Sequence, residues 1–342
     1  MTICLCVDDT IWQIILRLHN RQKLKNGFVH LFLQEMEYNG QLDILADYLN
    51  NIGPWPSAVN QTVEARDIIT NQGYYEESAP LQRTSTRYEV TECVYASRTN
   101  AAETVVIQNP DYGRMLFLDH ELQSSSYDER IYHETLVHPV MMATAHIYDK
   151  EVLVVGGAEG ATVREVLRWA GNRVRHIDWV DIDPTLVEVC KTHLNYAPTV
   201  YNDTRATYHA ADIMTYLQNI VGMYDVIILD LPDPDPNESP LYGAAFWNLV
   251  YGALKPGGAI VSHVGPVEPR RHQGLTMVRD GAMAAGFDYG TAYHTLIPSF
   301  QGEWGFWMSC SSVRQDMFLP HDLQIMNEAY YGTIMHWNTY WL

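Results

Sequence analysis

The sequence predicts an α/β protein built on a doubly wound sheet, and two observations lead to this fold class. The first is the apolar run Leu153–Val155, which is followed at once by Gly156, Gly157 and Gly160. A continuous apolar run is typical of a strand buried on both faces, and glycines allow a tight turn and the close approach of a ligand. The second is the alternation of strand-like and helix-like segments over 152–264, which indicates parallel strands covered by helices on both faces.

The alternation begins directly after the glycines, where Val163, Val166 and Leu167 show the apolar spacing of a helix. The strands predicted next read RHIDWVDI, TYHAAD, YDVIILDL and AIVSHV, and the helices among them read PTLVEVCKTHL and AFWNLVYGAL. Pro184 opens the first of these helices, and Asp183 suits the cap position before it. Parallel strands bring their carboxyl ends to one edge of the sheet.

That edge carries glycine or aspartate at the ends of the first four predicted strands, namely at Gly156, Asp181, Asp212 and Asp230. Ligands of doubly wound sheets bind beyond this edge. A glycine-rich turn between a strand and a helix, with an acidic residue about 20 residues later at the end of the next strand, is typical of a nucleoside-binding corner. Asp181 occupies the acidic position, so we predict a nucleoside-type cofactor whose ribose hydroxyls it holds.

Two segments precede the sheet. Residues 1–80 show helix-period apolar spacing and are predicted as a separate helical segment. Residues 81–122 are predicted as a small antiparallel β domain, with strands at Thr104–Gln108 and Met115–Leu118 and a hairpin turn at Asn109–Gly113. The catalytic domain is predicted over 123–342.

The composition narrows the choice of partners. A formal net charge of −19 argues against nucleic acid and anionic membranes, because both select Lys and Arg, and it suits cationic small molecules. No uncharged apolar run approaches the roughly 20 residues of a transmembrane helix, and no basic region resembles a secretory signal, so we expect a soluble cytoplasmic protein. The five cysteines are scattered, and Cys4 and Cys6 have no His or Cys cluster nearby, so we expect neither a disulfide framework nor a metal site.

The loop after Asp230 is strongly acidic, with Asp233, Asp235 and Glu238 following within a few residues. Carboxylates this close repel one another, so the loop favours a cationic ligand. A metal ion is one option, although the alternating prolines and the missing central glycine do not match a calcium loop. A polyamine is the other option.

Several ordered motifs resemble the aminopropyltransferases of polyamine synthesis, the spermidine/spermine synthase family. They are Gln123, DERIYHETLVHP, GGAEGATVREVL, VDID, the DLPDP loop and YHTLIPSFQGEWGF, spread over residues 88–310. The chain looks most similar to thermospermine synthase and to bacterial triamine and agmatine aminopropyltransferases, because Glu159 stands where spermidine synthases usually carry Asp. The resemblance implies a Rossmann-like fold of the class I methyltransferase type.

The resemblance also implies a reaction: a metal-free homodimer transfers the aminopropyl group of decarboxylated S-adenosylmethionine to an amine. The implied catalytic residues are Asp230 as base, Tyr132 and Asp233. The implied donor-binding residues are Gln123, His133, Gly156, Gly157, Glu159, Gly160, Asp181, Ile182, Ala211, Asp212 and Leu231. The implied acceptor-binding residues are Tyr132, Asp233, Tyr242, Phe300 and Trp304.

These residue types suit the chemistry. An alkyl amine is mostly protonated near neutral pH, and the ammonium must lose a proton before its nitrogen can attack. A carboxylate both attracts the ammonium and accepts that proton. The leaving thioether is neutral and needs no acid, so catalysis depends mainly on alignment and on one base.

Two departures from the family pattern leave other functions open. Arg87-Tyr88-Glu89 stands where the family usually has Gln, and Ala158 replaces a third glycine. A cation such as Arg87 near the donor would pair with a carboxylate on the donor molecule. Intact S-adenosylmethionine would then donate a 3-amino-3-carboxypropyl or a methyl group.

Packing roles are the plainer interpretation of several of these residues. Without the resemblance, Tyr132 and His133 are interpreted as helix residues that pack on the sheet, and Trp304 and Phe306 as core or rim aromatics. A binding protein without catalysis is a third possibility, which the joint presence of Tyr132, Asp181 and Asp230 disfavours.

Overall fold

A seven-stranded sheet is the centre of the computed structural model of this chain. The structure describes residues 69–70, 73–79, 84–169, 171–234, 241–268, 272–310 and 318–336. These residues belong to one compact unit that runs from Asn60 to Leu342. The helices predicted within 1–68 lie outside the described residues.

The strands and helices follow one another in two groups. The first group contains β1 (Tyr74–Ala79), β2 (Thr84–Glu89), β3 (Glu92–Arg98), β4 (Glu103–Asn109), β5 (Gly113–Leu118) and β6 (Glu121–Ser125). The second group contains α1 (Glu129–Ala143), β7 (Lys150–Gly156), α2 (Ala161–Leu167), β8 (Val174–Asp181), α3 (Pro184–His193), β9 (Ala206–Ala210), α4 (Ile213–Tyr216), β10 (Tyr224–Asp230), α5 (Ala244–Ala253), β11 (Leu254–Pro266), α6 (Gln273–Ala285), β12 (Thr291–Ile297), β13 (Gly302–Cys310) and α7 (Glu328–Ile334). None of the helices in the described ranges is long and apolar enough to cross a membrane.

The strand order in the large sheet is β12-β13-β11-β10-β7-β8-β9. The five strands from β11 to β9 run parallel, and their order reverses direction at β7, which is the crossover topology of a doubly wound sheet. The predicted fold class is therefore confirmed. β12 and β13 add an antiparallel edge that was not predicted from the sequence.

The central strand β7 shows why its sequence is apolar without interruption. Val152 and Val154 pack into the core on one face of the sheet, and Leu153 and Val155 pack into the core on the other face. Residues of α1 and α2 cover the first face, and residues of α5 and α6 cover the second. Because successive side chains of a strand point to opposite faces, a strand covered on both sides needs apolar residues at every position.

A four-stranded antiparallel sheet, β3-β4-β5-β6, precedes the large sheet in the chain. Asn109 lies opposite Gly113 at the turn between β4 and β5, so the predicted hairpin is confirmed. β6 was not predicted, and it crosses the boundary that we expected between the β domain and the catalytic domain after residue 122.

The structure corrects the predicted end of the helical segment 1–80. β1 lies inside that segment and pairs antiparallel with β2, with Tyr75 opposite Tyr88. Both tyrosines are buried in one core cluster together with Phe117. The six residues of β1 show no clear period of two, so the burial of Tyr75 against the small sheet determines the strand.

Replacing Gly156 by Ala should destabilise the chain. Gly156 has φ 79°, and a Cβ there would lie 2.0 Å from the carbonyl oxygen of Asp230. Left-handed strain together with a clash against backbone should lower the free energy of unfolding by about 2–4 kcal/mol. Gly252→Ala is the matched control, because a Cβ at this helical position meets open space. Thermal melting should show a loss of several degrees for Gly156→Ala alone; equal melting temperatures would contradict this account.

Candidate active site

The glycine-rich turn and the end of β10 lie side by side. Gly156 is opposite Asp230 in the register of β7 and β10, and the N–H of Gly157 donates to the carbonyl oxygen of Asp230 at 2.9 Å. A Cβ at Gly157 would lie 2.6 Å from Oδ2 of Asp230. The two glycines therefore make room for the aspartate, in addition to any room they provide for a ligand.

Two hydroxyl groups, one on α1 and one on α2, donate hydrogen bonds to the Asp230 carboxylate. Tyr132 on α1 donates to Oδ1 at 2.7 Å, and Thr162 on α2 donates to Oδ2 at 2.6 Å. The structure thus brings together Tyr132 and Asp230, two of the three residues that the resemblance implied as catalytic. Thr162 was not predicted, although a hydroxyl residue just after the last glycine of the turn was the available signal.

Tyr132 lies among aromatic rings at this edge. Burial and the charge of Asp230 raise the pKa of Tyr132 well above its usual value, so the phenol keeps its proton and acts as a donor. Its ring centroid lies 6.2 Å from that of Phe300 and 5.7 Å from that of Phe306. Phe306 is fully buried, as the packing interpretation predicted, whereas Phe300 and Trp304 are half-buried and in contact, with centroids 4.5 Å apart.

Carboxylates crowd the donor side of the site. Burial raises the pKa of Asp181 to about 7, and the charges of Asp183 and Glu159 contribute to the rise. Burial and the charge of Asp230 also raise the pKa of Glu159, and His133 opposes that rise. Because burial is the main cause of both shifts, a cationic ligand close to these carboxylates would offset the cost of ionising them. Asp183 accepts from the N–H groups at the start of α3, so the predicted cap is confirmed.

A buried ionic network lies behind His133. Its Nδ1 is 2.9 Å from Glu129 Oε2, and the Glu129 carboxylate accepts two bonds from the Arg164 guanidinium, at 2.8 and 3.0 Å. Burial alone would raise the pKa of Glu129, but His133 and Arg164 outweigh it and lower the pKa to about 2. Burial disfavours the charged imidazole, yet Glu129 and the site carboxylates raise the pKa of His133. The bonds between Arg164 and Glu129 therefore link α2, which follows the glycine-rich turn, to α1, which carries Tyr132.

The end of β9 lies beside Asp181. The N–H of Ala211 donates to the carbonyl oxygen of Asp181 at 3.1 Å. Asp212 is exposed, and its Oδ1 caps α4 by accepting from the N–H and O–H of Thr215 at 3.0 and 3.1 Å. Ile182 follows Asp181 and is 48% exposed. These predicted donor-binding residues therefore share one region of the ligand edge.

A crevice between β6 and the start of α1 is lined by Gln123, His133 and Phe300, among other residues. Asp128 stands at the cap position before α1, but its carboxylate caps no helical N–H. It instead accepts from the N–H and O–H of Ser299 at 2.7 and 2.8 Å. This pair fixes the turn that carries Phe300 against the start of α1.

The acidic loop is described only in its first part, and Asp235 and Glu238 lie outside the described residues. The Asp233 side chain is 40% exposed, and its Oδ1 is 3.7 Å from His263 Nδ1. Partial desolvation raises the pKa of Asp233, and the neighbouring His263 opposes the rise.

Two side chains hold the backbone of this loop. The hydroxyl of Tyr242, which the resemblance implied as acceptor-binding, donates to the carbonyl oxygen of Pro232 at 3.1 Å. Nε2 of His263 forms a short hydrogen bond with the carbonyl oxygen of Leu231. His263 was not predicted as a site residue, and its signal was a polar side chain inside the apolar strand AIVSHV. Its ring stacks on Trp304, with centroids 6.2 Å apart and planes 13° from parallel.

One departure from the family pattern lies on an exposed hairpin, and the other directly precedes Glu159 in the glycine-rich turn. Arg87 is on the exposed β1–β2 hairpin, where it pairs with Glu76 at 3.2 Å, and Ala158 is buried in the core. Arg87 therefore already forms an ion pair with a carboxylate of its own hairpin. Over the described ranges, no group of three or more His, Cys, Asp or Glu residues is arranged to hold a metal ion.

The fold is a Rossmann-like doubly wound sheet with acidic side chains at the carboxyl ends of its parallel strands. The family described as Spermine/spermidine synthase domain matches residues 129–319. A polyamine aminopropyltransferase 2 from Hyperthermus butylicus is 38% identical over 221 residues, 64% of this chain and 70% of that protein. A second, from Pseudomonas aeruginosa, is 34% identical over 256 residues, 72% of this chain and 70% of that one.

Solved structures agree on the fold. A spermidine synthase from Thermotoga maritima superposes with a TM-score of 0.70 at 20% identity, over 81% of this chain and 96% of that one. A spermidine synthase in complex with the transition-state analogue AdoDATO superposes with a TM-score of 0.71 at 21% identity. The chain belongs to the spermine/spermidine synthase family, as its motifs predicted.

Replacing Glu129 by Gln should destabilise the chain in a pH-dependent way. The change leaves Arg164 with less compensation for its buried charge, so the free energy of unfolding at neutral pH should fall by about 3–5 kcal/mol. The folded-state pKa of Glu129 is lowered from 4.5 to about 2, so its stabilising effect is present above pH 4.5 and is lost as the pH falls toward 2. The gap between variant and wild type should therefore narrow over that window.

Glu188→Gln is the control, because Glu188 is exposed and pairs at the surface with Lys191 at 3.1 Å. It should change the free energy of unfolding by less than about 1 kcal/mol. Denaturant melts at several pH values compare the two variants, and a Glu129→Gln protein as stable as wild type at neutral pH would refute the ionic role.

Proposed function

We propose that this chain transfers the aminopropyl group of decarboxylated S-adenosylmethionine to the nitrogen of a polyamine and releases methylthioadenosine. Membership of the spermine/spermidine synthase family supports this class of reaction. The observation that carries the proposal is the meeting of donor-side and acceptor-side carboxylates at one sheet edge, where Asp230 is held between Tyr132 and Thr162. The acidic site and the acidic chain both suit two cationic substrates.

On the donor side, Asp181 binds the ribose hydroxyls, and Ala211 and Asp212 face the adenine. Glu159 binds the ammonium of the aminopropyl arm, with Gln123 and His133 beside it. The positive charges of the donor would stabilise the ionised carboxylates of Glu159 and Asp181, whose pKa values are raised chiefly by burial. Leu231, Ile182 and the glycine-rich turn, Gly156, Gly157 and Gly160, complete this side.

On the acceptor side, Asp230 is the base that takes a proton from the ammonium of the acceptor. Tyr132 and Asp233 position the nitrogen, and Phe300, Trp304 and Tyr242 shape the channel. The neutral amine then attacks the propyl carbon that is bound to sulfur, in line with the carbon–sulfur bond. That bond breaks, and the sulfonium becomes a neutral thioether. Fixing Asp230 from two sides supports such a mechanism, because alignment of nucleophile and electrophile supplies much of the rate enhancement.

The proposal extends to the assembly and location of the enzyme. The family resemblance implies a homodimer in the cytoplasm whose partners are small molecules rather than nucleic acid or membrane, and whose reaction needs no metal. The catalytic part would be the domain from about residue 123 onward, with the preceding β-strands at its rim.

Assays with both donors test the reaction directly. The purified chain is incubated with decarboxylated or intact S-adenosylmethionine and a panel of linear amines, and products are read by mass spectrometry. We expect release of methylthioadenosine and growth of the amine by one aminopropyl unit with the decarboxylated donor. Turnover with the intact donor in place of the decarboxylated one would reject the proposal.

The variant Asp230→Asn tests the role of the base. Removing a positioned base should lower kcat by about 10²–10⁴-fold. Methylthioadenosine should bind with a Kd close to that of wild type, because Asp181 and the turn remain. Asp280→Asn is the control, since Asp280 is exposed and pairs only with its neighbour Arg279 among the described residues. Unchanged kcat in Asp230→Asn would remove Asp230 from the mechanism.

A further inference from the structure

A cavity of about 400 Å³ lies between α3 and the edge of the large sheet at β9. Trp179 of β8 and Tyr208 of β9 line it from the sheet. Tyr201 lines it from the short turn before β9, and Val187 and Lys191 line it from α3. None of the residues that line this cavity belongs to the proposed donor or acceptor sites. Its volume is within the range of small-molecule sites, about 300–1,000 Å³.

Three aromatic rings meet in this cavity. The ring centroid of Trp179 lies 5.0 Å from that of Tyr208 and 6.0 Å from that of Tyr201. The two tyrosine rings are tilted from the indole plane by 58° and 51°, respectively. Aromatic walls of this kind favour a flat ligand with a large apolar surface.

Two hydrogen-bonding groups of the cavity are unused. The hydroxyls of Tyr201 and Tyr208 are buried, and neither has a hydrogen-bond partner among the described residues. Burial raises the pKa of both phenols, that of Tyr208 to about 12, so both keep their hydrogens at neutral pH and act as donors. Buried polar groups without partners are rare in native proteins. The pair therefore favours a ligand that carries acceptor atoms.

The charges around the cavity disfavour an anion. The carboxylates that act on the two phenols are those of Glu159, Asp181, Asp183 and Glu188. Lys191 also lines the cavity, but its ammonium already pairs with Glu188 at 3.1 Å. A carboxylate or phosphate ligand would be repelled here. The acceptor atoms of the ligand should therefore be neutral, as the ring nitrogens of an aromatic heterocycle are.

The cavity also touches the glycine-rich turn. The indole N–H of Trp179 donates to the carbonyl oxygen of Gly156 at 2.9 Å. A Cβ at Gly160 would lie 3.4 Å from the hydroxyl of Tyr201 and 3.6 Å from the indole ring of Trp179. Two side chains that line the cavity are therefore in contact with the turn proposed to bind the donor.

We propose that this cavity binds a neutral purine ring, and that its occupation changes the affinity of the active site for the donor nucleoside. Ring nitrogens of the purine accept from the hydroxyls of Tyr201 and Tyr208, and the ring packs against Trp179. The contacts to Gly156 and Gly160 link the two sites. The cavity site does not depend on the proposed function, whereas the coupling rests on it, because the nucleoside must bind at the turn.

Calorimetric titration of adenine into the full chain saturated with methylthioadenosine tests the cavity site. One equivalent of adenine should bind to the wild type. Tyr201→Phe and Tyr208→Phe each keep the ring and remove one hydroxyl, so each should raise the Kd of adenine about three- to tenfold. Tyr251→Phe is the matched control, because Tyr251 is exposed on α5, which covers the other face of the sheet. It should leave the Kd unchanged.

Purine-6-carboxylate is the anionic counterpart of adenine. It offers ring nitrogens of the same kind, but its negative charge meets the surrounding carboxylates. Its Kd should be at least about tenfold higher than that of adenine. Equal affinity for the two purines would contradict the electrostatic part of the argument.

Titrations of methylthioadenosine at increasing adenine concentrations test the coupling. If the two sites are coupled, the Kd of methylthioadenosine changes by about fivefold or more and then reaches a limit. If adenine merely competes in the active site, that Kd rises without a limit. In Tyr208→Phe the limit should be reached only at higher adenine concentrations.

The outcomes separate this inference from the proposed function. Absence of adenine binding to the saturated wild type, competition without a limit, or an unchanged Kd in both phenylalanine variants would overturn the cavity site. A Kd of methylthioadenosine that adenine leaves unchanged would overturn the coupling. Failure of methylthioadenosine to bind at all would count against the proposed function, and adenine titrations of the free chain and its phenylalanine variants would still decide the cavity site.

Discussion

The close approach of Asp230 to the glycine-rich turn constrains the rest of the site. Parallel pairing of β7 and β10 places the end of one strand against the end of the other, and any side chain at Gly156 would collide with backbone. The approach leaves the Asp230 carboxylate between α1 and α2, where Tyr132 and Thr162 each occupy one oxygen. Asp230, the two hydroxyl groups that donate to it and the glycine-rich turn are therefore positioned by one strand pair and the two helices that pack on it.

Electrostatics explains why this arrangement suits cationic substrates. The carboxylates of Glu159, Asp181 and Asp233 all have raised pKa values, chiefly because they are removed from water. The charge of His133 lowers the pKa of Glu159, but the same imidazole also pairs with Glu129. Ionising these carboxylates is therefore unfavourable without a further positive charge close to them. A sulfonium and an ammonium would supply the missing positive charge, which links the stability of the ionised site to the binding of its substrates.

Local patterns predicted the features that depend on local sequence. The apolar run of β7 specified a strand covered on both faces, and the turn after it, with Asp181 one strand later, specified the ligand edge. Ordered motifs indicated the family and implied that Tyr132 and Asp230 belong to one site. The fold class and the family were therefore predictable from the sequence.

Long-range contacts could not be predicted from the sequence. Nothing in the neighbourhood of Asp128 indicates that its carboxylate binds Ser299, 171 residues away, instead of capping its own helix. Tyr75 becomes part of a strand because it packs opposite Tyr88, and Thr162 and His263 become site residues because distant strands carry Asp230 and Leu231 to them. Such contacts follow from sheet order and register, which single-sequence patterns do not specify.

The most direct test is a crystal structure of the enzyme with methylthioadenosine and a linear diamine. This account predicts the ribose hydroxyls on Asp181 and a terminal nitrogen of the diamine within hydrogen-bond distance of Asp230, on the side of the thioether sulfur where the propyl carbon would lie. An Asp230 carboxylate directed away from both ligands, with no other carboxylate in its place, would contradict the account.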